Sequence, residues 1–588
     1  MSLPAPDVVA CVRAFAETTP DAPAMHAPDR SLNFRELMAQ ADALAGAIRA
    51  LAVAPDDCVV IAGVRTADTM VSLLASLVAG VPFMVIDDRS RPAVIESTLA
   101  SVSSRIAVAE GEFGRRLVAL GYTVVPPSGH PPATSTPPEV AEDALAYVVL
   151  TSGTTGRPKQ IAVERRHLNA YVQGLLDRLA LTTPASFACV SPLWTDLGHT
   201  AIFGALCSGG RLLLASAETG TSALLLAKEF AAHPVDYLKI TPSHLAALLS
   251  EGDAAVLPRT GVLLGGERLP WALCAKVRAL RPGIRLINHY GPAECTIGVA
   301  AGPVPAELPE GARTVPVGPP LAGTLFRTLS DGLTPTSTGE VGELYVSGPT
   351  VARGYLGDPT QTAERFVMMD GVRWYRTGDL ARPLPPDRFE IVGRADRQVK
   401  VRGFRVEPGE VEHALLAGGL VAEAYAFAVT TGDTAAMAAA VVVRDGATAA
   451  QVASDVAGRL AAAAVPAPVV LVEQLPRTAS GKVDEAMLTA LALKEFEPQS
   501  AVPAADLAAA LTSIEKDLVG VWAEILGRDV DTRTSVFQLG ANSIAAIRFL
   551  ARLQRQYDVE IPLHVVFECP TIAELAALVD DALPAGRS

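Results

Sequence analysis

The order of apolar and polar positions predicts alternating strands and helices over most of the chain. Short apolar or β-branched runs, typical of buried strands, are followed by longer segments with helical spacing of their apolar residues. The predicted strands include Val59–Ala62, Phe83–Ile86 and Tyr147–Leu150, and the predicted helices include Met70–Ala79 and Ser222–Ala231. This alternation over about the first four hundred residues is the pattern of layered, mainly parallel α/β structure.

The pattern changes twice towards the C-terminus. After about Gly393 the elements shorten and the charge density rises, which indicates a small α+β unit. Glu495–Asp506 (EFEPQSAVPAAD) has the composition of a linker, and from Leu511 the spacing is purely helical. We therefore expect four segments, with boundaries at residues 1–393, 394–487, 488–510 and 511–583.

Composition and charge limit the classes of function. Half of the 588 residues are apolar and 19% are charged, which excludes disorder over most of the chain. There are 49 basic and 63 acidic residues, a net charge of −14, which argues against nucleic-acid binding. The seven scattered cysteines include no CxxC pair and predict reduced thiols. The most apolar window, Met70–Ile86, is interrupted by Gly80 and Pro82, so we expect no membrane span and a cytoplasmic protein.

A candidate phosphate-binding loop follows the predicted strand Tyr147–Leu150. Thr151–Lys159 reads TSGTTGRPK, with two glycines, four hydroxyls and a lysine. Backbone amides, hydroxyls and one cation can together surround phosphate oxygens. The alternative is a flexible turn, which the Pro158-Lys159 ending and the preceding strand make less favourable.

The TSGTTGRPK segment resembles the signature loop of the adenylate-forming superfamily, and the chain as a whole resembles a non-ribosomal peptide synthetase adenylation domain fused to a peptidyl carrier domain. Further matching motifs lie before and after this loop, in the family's order: Ser31–Leu37, Leu77–Asp87, Asn288–Glu294, Gly342–Leu356, Tyr375–Leu380, Gly393–Glu407 and Leu475–Asp484. The resemblance implies an α/β fold with a large N-terminal adenylation domain of layered sheets and helices. A small mobile α+β lid and a four-helix-bundle carrier domain would follow it.

The resemblance also implies an ATP-dependent, AMP-forming ligase. A substrate carboxylate would attack the α-phosphate of ATP, so the protein must supply positive charge and positioning to bring two anions together. The catalytic positions carried over from the family are Thr154, Thr155, Lys159, Glu294 and Lys482. The nucleotide-binding positions carried over are Ser152, Gly153, Gly156, Tyr290, Asp379 and Arg394.

Three of these positions have distinct implied roles. Lys482 would reach both the carboxylate and the phosphate, and Glu294 would help to hold Mg²⁺, as hard oxygen ligands do. Asp379 would accept hydrogen bonds from the ribose hydroxyls. Asp396 matches the family's hinge, about which the lid turns to present either Lys482 for adenylation or Val399–Arg405 for thioester formation. An ordinary turn is the alternative role of Asp396.

The resemblance places Asp196 where the family binds the substrate α-ammonium group, and a buried carboxylate there must be paired. Lys239 lies in an apolar, strand-like run, so it either reaches water or meets an anion. His289 could be a second donor to the same carboxylate, and its alternative is a core histidine with protein partners. Lys239 and His289 together favour a second substrate carboxylate, and we predict L-aspartate or a methyl- or hydroxy-aspartate, with L-asparagine as the alternative. The pocket positions carried over are Asp196, Leu197, Thr200, Lys239, Leu263, Gly265, His289, Ile297, Gly298 and Lys482.

Three residues depart from the family's pattern. Ala293 stands where a threonine is usual, Thr195 where an aromatic residue is usual, and Ala201 where an acidic residue is usual. None of these changes removes the main cation, so we expect an active enzyme. They are also the argument for the alternative that the chain is a degenerate, non-catalytic carrier scaffold.

The segment Val536–Ile547 (VFQLGANSIAAI) resembles a phosphopantetheine attachment motif, in which Ser543 is the modified serine. A phosphodiester at the start of a helix would be stabilised by the helix N-terminus. The alternative is an ordinary N-cap serine. The resemblance implies 4′-phosphopantetheine on Ser543, a phosphopantetheinyl transferase that attaches it, and an aminoacyl thioester on the same chain.

These expectations describe a loading module of antibiotic-type peptide biosynthesis that uses ATP and Mg²⁺. Its partners would be condensation, tailoring or thioesterase enzymes, and the need for a small MbtH-like activator stays open. A second hypothesis is an acyl-AMP or acyl-CoA ligase for a simple carboxylic acid. The final product, the carboxylate that is activated and the oligomeric state also stay open.

Overall fold

The computed structural model describes most of the chain. The described residues are 7–51, 57–88, 90, 92–102, 104–132, 139–151, 158–252, 254–308, 314–330, 332–385, 387–401, 404–431, 434–444, 446–461, 464–477, 483–496, 512–526, 530–532, 536, 549–550, 552–553, 556–557, 559, 561, 566 and 571–582.

The strands divide between a large N-terminal part and a small C-terminal lid. The strands of the N-terminal part are β1 (Pro23–His26), β2 (Ser31–Asn33), β3 (Val59–Ala62), β4 (Phe83–Ile86), β5 (Ile106–Val108), β6 (Thr123–Val125), β7 (Leu145–Thr151), β8 (Lys159–Glu164), β9 (Phe187–Cys189), β10 (Leu212–Leu214), β11 (Tyr237–Ile240), β12 (Gly261–Gly265), β13 (Arg285–Tyr290), β14 (Ala300–Pro303), β15 (Leu325–Leu329), β16 (Gly342–Ser347), β17 (Gly354–Tyr355), β18 (Phe366–Met369), β19 (Val372–Leu384) and β20 (Arg388–Arg394). The lid contains β21 (Val399–Val401), β22 (Phe404–Val406), β23 (Val421–Thr431), β24 (Thr434–Val443) and β25 (Val469–Leu471).

The helices follow the same division. The N-terminal part contains α1 (Val8–Thr18), α2 (Phe34–Arg49), α3 (Ala67–Ala79), α4 (Pro92–Ala100), α5 (Gly111–Ala119), α6 (Arg165–Leu179), α7 (His199–Cys207), α8 (Ala217–Thr221), α9 (Ala223–Ala232), α10 (Pro242–Glu251), α11 (Trp271–Leu280) and α12 (Pro359–Arg365). The lid and the C-terminal region contain α13 (Pro408–Ala417), α14 (Ala449–Ala457), α15 (Glu485–Phe496), α16 (Ser513–Leu526) and α17 (Ile572–Ala582).

Local sequence signals set several of these boundaries. Asn33 and Glu36 form a capping box at the start of α2, since each side chain accepts a hydrogen bond from the other's backbone amide. Thr66 caps α3, which ends at Gly80 in the left-handed conformation (φ +74°). Strand β4 is buried along its whole length, as its uninterrupted apolar sequence predicts.

The large N-terminal part contains three sheets. The first has eight strands in the order β14-β13-β12-β11-β9-β10-β1-β2, and the second has seven in the order β17-β8-β7-β4-β3-β5-β6. The third has five strands, β15-β16-β19-β18 with β20 paired to β19. A continuous apolar core joins α2 and α3 to faces of the first two sheets. The expected layered α/β fold is confirmed, as are the strands and helices named from the sequence.

The lid begins with the β21–β22 hairpin and continues with a three-stranded sheet, β23-β24-β25. Its core includes Val401, Val411, Met437 and Val456. The expected small α+β unit is therefore present. Beyond it, α16 and α17 pack around Trp522, whose ring stacks on Phe549 with 4.6 Å between centroids.

Candidate active site

The structure places Lys159 at the border between the N-terminal part and the lid. Lys159 opens β8, directly opposite Thr151 at the end of β7, so the signature loop connects two paired strands. Its Nζ is buried, 3.4 Å from Oε1 of the lid residue Glu407. Burial lowers the pKa of Lys159, against the opposing effect of Glu407. The other predicted loop residues, namely Ser152, Gly153, Thr154, Thr155 and Gly156, lie outside the described residues, as do Lys482 and Ser543.

Glu294 lies in a short 3₁₀ turn after β13 and is completely buried. Nη1 of Arg405, from the lid strand β22, lies 2.7 Å from both carboxylate oxygens, and the Tyr355 hydroxyl donates to Oε1 at 2.8 Å. Burial alone would raise the pKa of Glu294, but the Arg405 charge and the hydrogen bonds outweigh it, and the pKa is lowered. The carboxylate therefore stays ionised.

The carboxylate of Glu294 is a suitable ligand for the magnesium ion that the sequence predicts at this position. An ionised carboxylate is the kind of hard oxygen ligand that Mg²⁺ takes, usually together with substrate phosphates and water. In this arrangement the Arg405 guanidinium supplies the positive charge at the same two oxygens. A metal ion and Arg405 would therefore compete for one carboxylate.

The predicted ribose contact, Asp379, is buried on β19 and held by two neighbours. The Tyr290 hydroxyl donates to Oδ2 at 2.5 Å, and Nη1 of Arg394 lies 2.7 Å from Oδ1. Burial opposes ionisation of Asp379, but nearby cations lower its pKa below the usual value. Arg394 also pairs with Asp396, with two nitrogen–oxygen distances of 2.8 Å. The predicted nucleotide contacts and the predicted hinge thus form one hydrogen-bonded group.

A cleft of about 610 Å³ opens beside this group, between the N-terminal part and the lid. Asn288–Gly291 lines one side of the cleft, and Asp379 and Arg394 line its floor. The lid contributes Lys400 and Phe427 to the lining of the cleft. Nζ of Lys400 lies 5.7 Å from the centre of the Tyr290 ring. The volume, together with charged groups such as Asp379, Arg394 and Lys400 in the lining, suits a nucleotide-sized ligand.

The predicted amino-acid pocket is formed at the carboxyl ends of parallel strands. In the first sheet, Lys239 on β11 is level with Leu263 on β12, and Gly265 on β12 is level with His289 on β13. Asp196 comes from a short turn that leads into α7. Ligands of open α/β sheets usually bind at this end of the strands.

Asp196 carries a buried carboxylate oxygen that lacks a protein partner. Among the described residues, no donor lies within hydrogen-bonding distance of Oδ2. Burial and the negative charge of Glu294 raise the pKa of Asp196 to about 6, against the Ile297 amide and Lys239, which lower it. Because an unpaired buried carboxylate is unfavourable, this oxygen is suited to a cationic ligand.

Lys239 is fully buried, so the alternative in which it reaches water is wrong. Its Nζ lies 3.1 Å from Nδ1 of His289, and burial lowers its pKa to about 7 despite the attraction of Asp196. Gly265 makes room for the ammonium group, since a Cβ there would lie 2.6 Å from Nζ.

His289 differs from the prediction that it donates to the substrate. Its Nδ1 faces Lys239, and its Nε2 lies 3.1 Å from the Tyr171 hydroxyl, which also shares a 2.8 Å hydrogen bond with Thr200. Burial and the Lys239 charge keep the pKa of His289 well below its usual value. Since both ring nitrogens have protein partners, the neutral imidazole orients Lys239 in this structure.

The remaining predicted pocket residues lie around these polar groups. Leu263, Ile297 and Gly298 are buried, and Leu197 is half-buried. A Cβ at Gly298 would lie 2.3 Å from Nε2 of His289, so this position must stay small. Ala201 is completely buried in the apolar core. The acidic residue that is usual at this position would place a charge there, which is unfavourable without a partner.

Four residues that contribute to the two sites were not assigned as individual functional residues from the sequence. Arg405, Glu407 and Lys400 belong to the matching motif Gly393–Glu407, whose pattern indicates no separate role for each of them. Tyr171 lies on the apolar face of α6, where nothing in the sequence distinguishes it from a core tyrosine. Only the packing of α6 against β13 and α7 brings its hydroxyl to Thr200 and His289.

The length and composition of the helices bear on whether the chain could cross a membrane. No helix within the described ranges combines the length and the apolar character that a bilayer span requires.

Family models match three consecutive parts of the chain. AMP-binding enzyme matches residues 12–356, AMP-binding enzyme C-terminal domain matches 410–482, and phosphopantetheine attachment site matches 516–579. Surfactin synthase subunit 2 of Bacillus subtilis (strain 168) is 33% identical over 589 residues, which cover 97% of this chain and 16% of that protein. The chain therefore corresponds to a small part of this much longer relative.

Solved structures with the same fold include two kinds of protein. Holo-PA1221, an NRPS protein containing adenylation and PCP domains, has a TM-score of 0.81 and 24% identity, with 98% of this chain and 97% of that chain covered. The o-succinylbenzoate CoA synthetase MenE of Bacillus subtilis has a TM-score of 0.72 and 22% identity, with coverage of 81% and 97%. The fold alone therefore does not distinguish an amino-acid substrate from a simple acid.

Proposed function

The chain belongs to the AMP-binding enzyme family, as an adenylation domain of the non-ribosomal peptide synthetase type followed by a carrier domain, and from this premise we propose that it activates L-aspartate or a close derivative. The aminoacyl group would then pass to a phosphopantetheine arm on Ser543 of the same chain. A phosphopantetheinyl transferase would attach the arm, and condensation, tailoring or thioesterase enzymes would use the thioester.

The unpaired, buried oxygen of Asp196 carries the proposal that the substrate has an amine. An α-ammonium group beside Oδ2 would satisfy the carboxylate and keep it ionised. A simple carboxylic acid has no group that could do so. This contact is the physical difference between an amino-acid ligase and an acyl-AMP or acyl-CoA ligase.

Lys239 supports a second substrate carboxylate. A lysine that is completely buried with a pKa of about 7 lacks a full counter-charge in the protein. A carboxylate on the substrate side chain would restore that charge and form a charge-assisted hydrogen bond. Asparagine is the weaker candidate because its amide provides no negative charge to Lys239.

The adenylation step follows from the placement of cations around two anions. Lys159 and, from the sequence prediction, Lys482 would hold the triphosphate and the substrate carboxylate close together. Asp379 and Tyr290 would position the ribose. Mg²⁺ held by Glu294 would neutralise phosphate charge when it is bound. These residues need no general base, since the attacking carboxylate is already ionised.

The lid contacts support the second half of the reaction. Within the segment predicted to serve thioester formation, Val399 and Lys400 line the cleft and Arg405 pairs with Glu294, while Glu407, just beyond it, pairs with Lys159. We infer that this arrangement serves thioester formation, since Arg405 and Glu407 then lie where metal and phosphates would have been. Asp396, held by Arg394 at the junction, would be the hinge about which the lid turns.

ATP–pyrophosphate exchange over a panel of amino acids tests the substrate. Aspartate should give the fastest exchange, with asparagine slower, and an apolar preference would refute the pocket assignment. Succinate lacks the amine and should stay at background. Faster exchange with amine-free acids would favour an acyl ligase, and background exchange with every acid would favour a degenerate scaffold.

Intact-protein mass spectrometry tests the transfer step. The phosphopantetheinylated chain should gain one aminoacyl group when ATP and aspartate are added. The Ser543→Ala variant should keep its exchange activity and gain nothing. An aminoacyl group held covalently by that variant would contradict the assigned attachment site.

A further inference from the structure

Two histidines and one glutamate form a cluster on the N-terminal part, away from the nucleotide cleft. His26 ends β1, Glu229 lies on α9, and His233 follows the last turn of α9. One ligand atom from each residue lies within 4.8 Å of the other two. All three side chains are half-buried, so the cluster is both held in place and open to solvent.

The local structure orients the three side chains towards one another. Glu229 and His233 are four residues apart, which places them on the same side of a helix. The His233 amide donates to the Glu229 carbonyl at 2.7 Å, which extends the helical bonding to this residue. The His26 and His233 rings are close neighbours, with 3.8 Å between their centroids and a tilt of 32° between their planes.

His26 has the hydrogen bonding expected of a metal-binding imidazole. Its Nδ1 lies 2.7 Å from the Ser31 hydroxyl on β2, which fixes the ring and directs Nε2 towards Glu229. Outer hydrogen bonds of this kind orient most histidine ligands of metals. Nε2 of His26 and Oε1 of Glu229 are 3.3 Å apart. Two ligands of a tetrahedral zinc ion, each about 2.0–2.1 Å from the metal, are separated by about 3.3 Å.

We propose that His26, Glu229 and His233 form a zinc-binding site with a fourth position open to water. Two imidazoles and one carboxylate are a ligand set that zinc accepts, whereas Mg²⁺ prefers oxygen ligands alone. The bound ion would join the end of β1 to the end of α9. Since β1 lies five strands from β13 in the first sheet, the site is about 24 Å along the sheet from His289 and distinct from the magnesium position.

Calorimetric titration of the chelator-treated full chain with ZnCl₂ tests the proposal. We expect one high-affinity zinc per chain and at least a tenfold loss of affinity in each of His26→Ala, Glu229→Gln and His233→Ala. His130→Ala is the matched control, because His130 is a half-buried histidine outside the cluster, and this variant should bind zinc as the wild type does. Wild-type affinity in His26→Ala would overturn the proposal.

X-ray absorption at the zinc edge gives a second test that needs no variant. The zinc-loaded wild type should show two imidazole nitrogens among its ligands, and a spectrum without imidazole would overturn the assignment. The three variants should keep wild-type ATP–pyrophosphate exchange, since these residues lie outside the adenylation site. This measurement also establishes that any loss of zinc binding does not come from failure to fold.

Discussion

The amino-acid pocket and the nucleotide cleft differ in how their buried charges are paired. In the pocket, Oδ2 of Asp196 has no hydrogen-bond donor in the part of the chain that the structure describes, and burial shifts the pKa values of Asp196 and Lys239 in the directions that favour their neutral forms. At the nucleotide site, arginines hold the carboxylates of Asp379, which lines the cleft, and of Glu294, and both pKa values are lowered.

The difference indicates what each region lacks. The pocket has charges that need partners from a ligand, so the amino acid itself would complete the electrostatic pairing. The carboxylates at the nucleotide site already have arginine partners in the protein, and one of these arginines, Arg405, comes from the lid. Nucleotide binding would therefore require a protein contact to be exchanged. A single lid movement would then switch the cleft between two sets of charges and bring Lys482 to or from the pocket, while Asp196 and Lys239 stay in place.

Asp196→Asn should have the largest effect on aspartate activation among the changes that test this difference. The amide removes the charge that would pair with the substrate ammonium group, and loss of one member of a buried charge pair costs about 3–5 kcal/mol. We expect kcat/KM for aspartate in pyrophosphate exchange to fall by roughly two to three orders of magnitude. Asp42→Asn, which alters a carboxylate paired with Arg13 on α1, is the control and should have little effect. A loss of less than tenfold in Asp196→Asn would contradict the ammonium contact.

Lys239→Met should reverse the substrate preference. Methionine keeps much of the side-chain volume but removes the ammonium group, so the pocket can no longer pair a second carboxylate. We expect kcat/KM for aspartate to fall about a hundredfold, while exchange with apolar amino acids rises above it. The melting temperature should change little, because the removal of a buried charge is offset by the loss of the hydrogen bond to Nδ1 of His289. If aspartate remained the best substrate of this variant, Lys239 would not determine specificity.

Arg405→Ala should separate the two half-reactions. Without the guanidinium, Glu294 loses the Arg405 charge that it has in the present lid orientation and keeps the Tyr355 hydrogen bond, so that orientation becomes less stable. We expect thioester loading to slow about tenfold in single-turnover mass spectrometry, with pyrophosphate exchange unchanged or faster. Arg376→Ala, which removes an exposed pair with Glu343, is the matched control. Equal slowing of both half-reactions would show that Arg405 has no specific link to the lid orientation.

The sequence was informative where local patterns determine structure. Uninterrupted apolar runs predicted β3 and β4, and the apolar setting of Lys239 left two outcomes, contact with water or with an anion, of which burial excludes the first. It could not predict contacts between distant segments. The pairing of Arg405 with Glu294 joins residues 111 positions apart through the orientation of the lid, and the Tyr171–His289 contact depends on how α6 packs against the first sheet. The contacts with Lys239 and Tyr171 give both ring nitrogens of His289 partners within the protein.

The pH dependence of aspartate activation should show the smallest effect and give the most direct test of the pocket charges. Asp196, with a pKa of about 6, must be ionised to bind the ammonium group, and Lys239, with a pKa of about 7, must be protonated to bind the carboxylate. Because kcat/KM reports on ionisations of the free enzyme, it should be highest between about pH 6 and 7 and fall several-fold by about pH 8. In Lys239→Met the decrease above pH 7 should disappear, while the decrease below pH 6 should remain. Exchange rates for both proteins across pH 5–9 would settle this, and an unchanged alkaline decrease in the variant would assign that ionisation to a group other than Lys239.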